Sequence, residues 1–236
     1  MKLAIMQPYF FPYIGYLSLI KHTDKFIAFD PVQFIRHGWI ERNRILKPNE
    51  GWQYIQVPLL KHGRDTLIQD VKIRNEEDWK TKILRQLEHY RKTAPYYKTV
   101  INFIEDCWNY ETDNITEQNV YLLEKICSYL EIPFYCQIFS KMNLQLNEIS
   151  EPDEWALEIS KALNASEYIN ASGGQEFFNP IKYKNAGIQL KFITSKLQPY
   201  NQKRNTFEAG LSIIDVMMFN DVKNINIMLD NVELSE

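Results

Sequence analysis

The chain has 236 residues, 45% of them hydrophobic, which is enough to bury the core of one domain without a metal or disulfide. Its 27 Lys and Arg residues against 30 Asp and Glu residues give a formal net charge of -3, which argues against a dedicated DNA-binding protein. The three cysteines and four histidines show no metal-ligand spacing, so we predict neither a metal site nor a disulfide. No apolar run approaches the roughly 20 residues of a membrane span, so we expect a cytoplasmic protein.

The first thirty residues predict a parallel β-α-β unit. A short apolar run predicts a buried strand over residues 3–6. A helix is expected over residues 15–21 and a second strand over residues 24–30.

The middle of the chain changes from strand to helix patterns. Residues 52–60 and 68–73 alternate like half-buried strands around the turn "KHGRD", which predicts a hairpin added to the main sheet. Residues 75–130 predict a helical insertion of three helices. Asn75 and Thr116 are the expected N-caps, and Pro95 is expected at the first position of the helix between them.

Strand patterns return near the C-terminal half at residues 134–139, 167–171 and 188–193, separated by helical segments, and a last helix is predicted over residues 211–220. The whole order predicts a single α/β domain over residues 1–236. We expect three layers, with a mainly parallel sheet, a β-hairpin addition and the helical insertion.

The opening loop, "QPYFFPYIGY", is the first candidate site because ligands of such sheets bind beyond the carboxyl ends of the strands. Tyr9, Tyr13 and Tyr16 can stack on a base or sugar and donate hydrogen bonds. Gly15 lies near a helix N-terminus, where backbone N–H groups can hold a phosphate. Gln7 completes this set of candidate binding residues. The alternative is that the rings simply cover the core.

Three arginines lie close together in "DPVQFIRHGWIERNRIL". Arg36, Arg42 and Arg44 can clamp the phosphates of a nucleotide-sugar or of ATP through their planar guanidinium groups. Trp39 offers a stacking face beside them. The alternative is an ordinary solvated basic stretch.

The same segment contains the candidate catalytic groups. Asp30 ends a predicted strand and is a candidate for taking the proton of an attacking amine, and His37 is a candidate general base, although a surface role is the competing interpretation. Gln33 and Asn43 are candidates for reading polar edges of a substrate. Asp24 and Asp30 could bind Mg²⁺ brought by a phosphate.

Two later motifs are weaker candidates. In "YINASGGQEFF", Ser172 and Gly173 can belong to an anion-binding nest or to a plain turn. Gln202 is polar and can close over a ligand. For Ser212 and Asp215 we favour roles at the start of the last helix. No dinucleotide fingerprint or P-loop is present.

The segments "MQPYFFPYIGYLSLI", "WIERNRI", "YINASGG" and "LSIIDVMMFN", in this order, make the chain similar to the WbqC-like protein family. The resemblance extends to about residue 220. Members of this family tend to lie among genes for bacterial surface polysaccharide such as O-antigen.

The resemblance implies transfer of an aminoacyl group, glycyl in particular, onto a nucleotide-linked amino sugar. The acyl donor can be a free amino acid activated with ATP and Mg²⁺, or an adenylate, a charged tRNA or an acyl carrier. The alternative is a non-catalytic protein that binds nucleotide sugars or glycans in a polysaccharide assembly complex.

Overall fold

A computed structural model describes residues 1–236. The strands in chain order are β1 (Lys2–Met6), β2 (Lys25–Ala28), β3 (Arg42–Leu46), β4 (Trp52–Gln56), β5 (Cys136–Ile138), β6 (Glu167–Ala171), β7 (Gln189–Ser195) and β8 (Val232–Ser235). The helices are α1 (Ile14–Lys21), α2 (Trp79–Leu87), α3 (Tyr97–Cys107), α4 (Ile115–Tyr129), α5 (Glu154–Ala162), α6 (Pro180–Asn185), α7 (Ile213–Phe219) and α8 (Val222–Asp230).

Six strands form the main sheet in the order β5-β2-β1-β6-β7-β8. All neighbours are parallel except β7 and β8, which are antiparallel. The predicted α/β class with a mainly parallel sheet is confirmed. The sequence did not predict α8 and β8, because α8 buries only Ile225 and Leu229 and β8 is mostly exposed, so neither has a strong apolar pattern.

Helices cover both faces of the sheet, because the side chains of each strand alternate between two cores. In β1, Ala4 belongs to the larger core, whereas Leu3 and Ile5 belong to the smaller one. Ile159 of α5 and Tyr183 of α6 fill the smaller core. The remaining six helices contribute to the larger core. This arrangement gives the three layers that were predicted.

The hairpin uses a different strand pair from the predicted one. β4 pairs antiparallel with β3 in a separate two-stranded sheet. Residues 68–73 instead contain the 3₁₀ helix Ile68–Asp70, and they meet the predicted partner at one bridge between Leu59 and Ile73. The predicted pairing and its place in the main sheet are therefore wrong. β3 was not predicted from the sequence, because Arg42 and Arg44 occupy its alternate positions, where β-branched or aromatic residues are usual.

The three predicted helices of the insertion are present, but their starts differ from the expected ones. The capping side chains of α2 and α4 belong to Asp78 and Asn114, so Asn75 and Thr116 were wrongly chosen. An N-cap residue lies immediately before the first helical residue. Asp78 and Asn114 have that position, whereas Asn75 and Thr116 do not. α3 begins at Tyr97, two residues after Pro95, so the predicted first helical position of Pro95 is also wrong. No helix has the length and apolar character that a membrane crossing requires.

Candidate functional site

The strand order reverses at the centre of the sheet, and a cavity lies at that point. After β1 the chain builds β2 and β5 on one side, and then returns to place β6 on the other side of β1. Such a switch point opens a crevice beyond the carboxyl ends of the strands. A cavity of about 490 Å³, here called the first cavity, is lined by Met6 at the end of β1 and by Asn170 and Ala171 at the end of β6.

The tyrosines of the opening loop lie at this cavity. Tyr9, Tyr13 and Tyr16 all line it. The rings of Tyr9 and Tyr16 lie 5.2 Å apart, and the Tyr16 hydroxyl donates a 2.8 Å hydrogen bond to the carbonyl of Gln7. Burial raises the pKa of Tyr9 and of Tyr13, so both hydroxyls remain neutral donors near neutral pH.

Buried polar side chains fix the backbone of the opening loop. The carbonyl of Phe11 accepts from Asn43 at 3.0 Å and from the Ser212 hydroxyl at 2.8 Å. Asn119 of α4 donates to the carbonyl of Pro8 at 2.9 Å. Both phenylalanines of the loop are fully buried. The loop therefore combines the two interpretations: its phenylalanines and Tyr16 are buried in the larger core, while the partly buried Tyr9 and Tyr13 contribute to the cavity wall.

Asn43 and Ser212 act mainly as structural supports. Both polar atoms of the Asn43 amide form hydrogen bonds within the protein. Its Nδ2 donates to the opening loop, and its Oδ1 accepts from the backbone N–H of Arg44 at 2.8 Å. Ser212 accepts from the N–H of Ile214 at 3.2 Å, which confirms its predicted role as the N-cap of α7. Asn43 lines the cavity, but its amide is committed to holding the opening loop.

Gly15 lies in the first turn of α1, but a tyrosine ring fills the space beside it. A Cβ on Gly15 would lie 2.4 Å from Cε2 of the Tyr13 ring. The glycine thus accommodates Tyr13, and the approach of a phosphate to the helix end would require this ring to move. The N-terminus of α1 has no side-chain cap and no acidic residue in its first turn.

Replacement of Gly15 by alanine should change the free energy of unfolding in opposite directions in the presence and in the absence of the Tyr13 ring. In the wild-type background we expect the free energy of unfolding to fall by about 1 kcal/mol, because overpacking costs more than helix propensity returns. In a Tyr13→Ala background the same replacement should raise it by about 1 kcal/mol, since only the helix propensity remains. Urea unfolding of the four proteins measures both values. Equal effects in the two backgrounds would show that the Tyr13 ring does not restrict position 15.

Arg44 is the only charged residue that lines the first cavity. Its guanidinium carbon lies 5.4 Å from the ring centre of Trp39 and 5.1 Å from that of Trp52. One terminal nitrogen donates to the carbonyl of Gly210 at 3.0 Å, while the buried Nε has no protein partner. The group is positioned by two indole faces and one carbonyl, and it retains donors for an anionic ligand.

The other two arginines of the predicted clamp do not line the cavity. Arg42 stacks on Tyr54, with 3.9 Å between its guanidinium carbon and the ring centre, and donates to the carbonyl of His37. Arg36 is exposed and donates to the carbonyl of His62 at 3.1 Å. The structure therefore brings one of the three guanidinium groups, with Trp39, to the cavity.

Both candidate catalytic residues lie outside the cavity. Asp30 is 1% exposed, and its two carboxylate oxygens accept from Ser140, from the backbone N–H at 2.9 Å and from the hydroxyl at 2.6 Å. Burial raises the pKa of Asp30 in spite of these bonds. His37 is exposed in a left-handed conformation with φ of 64°, and its backbone N–H donates to Glu41. Asp30 ties the ends of β2 and β5 together, which is a structural role.

The glycines after β6 contribute to the cavity wall without forming a nest. Ser172 begins the 3₁₀ helix Ser172–Phe177, and Gly173 and Gly174 line the first cavity. An anion nest needs a residue of positive φ, and none occurs in this segment. The Gly-Gly pair thus provides room beside the cavity rather than a ring of N–H donors.

A second cavity of about 370 Å³ adjoins the first. The two share four lining residues, namely Met6, Tyr9, Asn170 and Gly174. Gln7 lines the second cavity, whereas Gln33 lies elsewhere and donates to the carbonyl of Arg64 at 2.9 Å. No charged residue lines the second cavity.

Gln202 belongs to a buried cluster behind the first cavity. Asp215 of α7 accepts from the hydroxyls of Tyr90 and Tyr200, each at 2.5 Å, and from Gln202 at 3.1 Å. The cluster anchors residues 196–212, the loop between β7 and α7, and this loop supplies Leu197 and Gly210 to the cavity wall. Gln202 and Asp215 thus support the wall without lining it.

Sequence patterns missed Asn170 and Gly210 as lining residues. Asn170 could have been found, because a polar residue at the carboxyl end of a strand beside β1 must lie near the crevice. No local sequence pattern indicated that Gly210 lines the cavity. It has a φ of +65°, and a Cβ at this position would lie 3.2 Å from a terminal nitrogen of Arg44, which belongs to a hairpin far away in sequence. The lack of a side chain at Gly210 allows Arg44 to approach.

The fold is an α/β sheet covered by helices on both faces, with a pair of adjoining cavities at the switch point of the sheet. Comparison of sequences agrees with the resemblance noted above: the chain belongs to the WbqC-like protein family, whose family model matches residues 7–227. The chain is 28% identical over 224 residues to uncharacterized protein Rv1507c of Mycobacterium tuberculosis (strain ATCC 25618 / H37Rv), covering 92% of each chain. No solved structure matches the chain.

Proposed function

We propose that the protein transfers an aminoacyl group, glycyl in particular, from an already activated donor to the amine of a nucleotide-linked amino sugar. The reaction would serve the biosynthesis of a surface polysaccharide such as O-antigen, in the cytoplasm. The observation that carries the proposal is the first cavity, in which a single cation, Arg44, lies among tyrosine rings and hydroxyls. An anionic ligand rich in hydroxyl groups and rings fits this lining.

The chemistry of the lining favours a donor that arrives activated. Activation with ATP would bring Mg²⁺, which prefers carboxylate ligands, and neither cavity has a carboxylate in its wall. No group of three or more His, Cys, Asp or Glu side chains elsewhere is placed to hold a metal ion. With an ester or thioester donor, the amine nitrogen attacks the acyl carbon, the carbon–oxygen or carbon–sulfur bond breaks, and the proton lost by nitrogen passes to the leaving group. The cavity then acts chiefly by holding the two reactants together.

One observation favours a second candidate function, a non-catalytic nucleotide-sugar or glycan-binding protein. The lining contains no imidazole, carboxylate, amine or thiol, and both Asp30 and His37 lie away from it. A binding protein needs no such group. A transferase that uses a reactive donor also needs less assistance than one that activates a free acid.

A transfer assay separates these functions. Purified protein is incubated with UDP-, dTDP- or GDP-linked amino sugars and with glycyl-tRNA or a glycyl carrier thioester, and products are followed by mass spectrometry. We expect a gain of one glycyl unit on one acceptor. Binding without product for every donor would support the non-catalytic alternative, and no binding to any nucleotide-linked sugar would contradict the transferase and the nucleotide-sugar form of the alternative.

Pyrophosphate exchange provides the control for donor activation. If the donor arrives activated, glycine and ATP should give no exchange with labelled pyrophosphate. Glycine-dependent exchange would show that the protein activates the free amino acid and would contradict this part of the proposal.

A further inference from the structure

The second cavity has a different chemical character from the first. Its wall is rich in aromatic rings, including Phe29, Trp155, Phe177 and Phe178. Phe29 and Trp155 meet edge to face with ring centres 5.4 Å apart, and Phe177 and Phe178 do so at 5.0 Å. The wall presents ring faces and edges to one space of about 370 Å³, which suits a flat ring better than a chain.

We propose that the second cavity binds the base of the nucleotide, and that the phosphates and the sugar occupy the first. This assignment rests on the proposed function, which supplies a nucleotide-linked substrate. The absence of charged residues from the second wall disfavours a phosphate there, whereas the first cavity has the cation Arg44 in its wall. Because the two cavities share Tyr9 and Asn170, one molecule can extend through both.

Gln7 gives the second cavity a means of reading a base. Its backbone carbonyl accepts from the Tyr16 hydroxyl at 2.8 Å, which fixes the main chain at this position. Gln7 lines the cavity, and its side-chain amide makes no hydrogen bond within the protein. An amide presents a donor beside an acceptor, which is the pattern needed to pair with the edge of a base.

Two variants test the assignment without disturbing the core. Gln7→Ala keeps the backbone carbonyl that Tyr16 requires, and Phe177→Ala removes a ring that is 55% exposed. Tyr135→Ala is the matched control, because Tyr135 is 72% exposed and lines neither cavity. Affinities are measured by calorimetry for nucleosides, for their monophosphates and for the nucleotide-linked amino sugar.

We expect each of the two cavity variants to weaken nucleosides and nucleotides alike, by about tenfold, because stacking or edge contacts to the base are lost. Arg44→Met should weaken the nucleotides but leave nucleosides unchanged, and Tyr135→Ala should change neither. This pattern of affinities distinguishes the residues that contact the base from the residue that contacts the phosphates.

Three results would overturn the inference in different ways. If nucleotides bind through Arg44 while the Gln7 and Phe177 variants bind normally, the base lies elsewhere and the proposed function stands. If decanoylglycine binds wild type and loses affinity in the Phe177 variant while nucleosides do not bind, the cavity accepts an acyl chain. If neither nucleosides nor nucleotide-linked sugars bind wild type, this inference and the proposed function both fail.

Discussion

Replacement of Arg44 by methionine should lower the affinity for a nucleotide-linked amino sugar by about 30-fold, because a hydrogen bond to a charged group contributes about 2 kcal/mol. The first cavity has no other cation to replace it. Methionine retains an apolar stem beside Trp52, so the free energy of unfolding should fall by only about 1 kcal/mol, from loss of the cation–π contacts and of the bond to Gly210.

Arg42→Met is the matched control for this experiment. Arg42 lies two positions earlier on the same strand and stacks on Tyr54, but it does not line the cavity. It should lose a similar cation–π contact and retain ligand affinity within about twofold. Calorimetric titration and urea unfolding of both variants give the two quantities. Equal loss of affinity in the two variants, or none in the Arg44 variant, would contradict the assignment of the anion site.

Replacement of Asp215 by alanine should give the largest loss of stability, about 3 kcal/mol or more. The change leaves the hydroxyls of Tyr90 and Tyr200 and the amide of Gln202 without their buried acceptor. Because these residues anchor the loop that carries Leu197 and Gly210, ligand affinity should fall as well. Asp215→Asn keeps an acceptor oxygen and should lower the free energy of unfolding by less than Asp215→Ala does.

The same carboxyl should make the stability depend on pH. Burial, which outweighs the hydrogen bonds from the two tyrosines and Gln202 and the charge of Arg204, raises the pKa of Asp215 from 3.8 to about 6. The folded protein therefore holds this proton more tightly than the unfolded chain does. The stabilising contribution is complete below about pH 4 and is lost as the pH rises through about 6.

The measurement is the difference in free energy of unfolding between wild type and Asp215→Asn from about pH 4 to pH 7. At about 1.4 kcal/mol for each pKa unit, wild type should lose about 2 kcal/mol relative to the asparagine variant over this range. Other titrating groups are common to both proteins and cancel in the difference. A difference that is constant with pH, or that grows in favour of wild type, would show that the pKa is not raised.

Local sequence patterns predicted the parts of the fold that are formed by residues close together in the sequence. The strand at residues 3–6 and the tyrosines that follow it were identified because a buried run and a ring-rich turn are visible within fifteen residues. The position of Tyr9, Tyr13 and Tyr16 in the cavity then follows from the place of β1 at the centre of the sheet. Sequence could identify these tyrosines, but their place beside the cavity depends on the strand order.

The candidate residues that depend on distant partners were placed less well. Asp30 does end a strand, but its carboxylate is taken by Ser140, which is 110 positions away and follows the neighbouring strand β5. Arg42 and Arg44 look equivalent in sequence, yet only one lies against the loop that contains Gly210. These outcomes depend on tertiary pairing, which local spacing does not encode.

The crystal structure of the complex with a nucleotide-linked amino sugar is the most direct test of a ligand site at the switch point of the sheet. We expect one molecule extending through both cavities, with phosphate oxygens within hydrogen-bonding distance of Arg44 and the sugar beside the tyrosines of the opening loop. A ligand bound on another face, with both cavities left to solvent, would contradict the site and the function built on it.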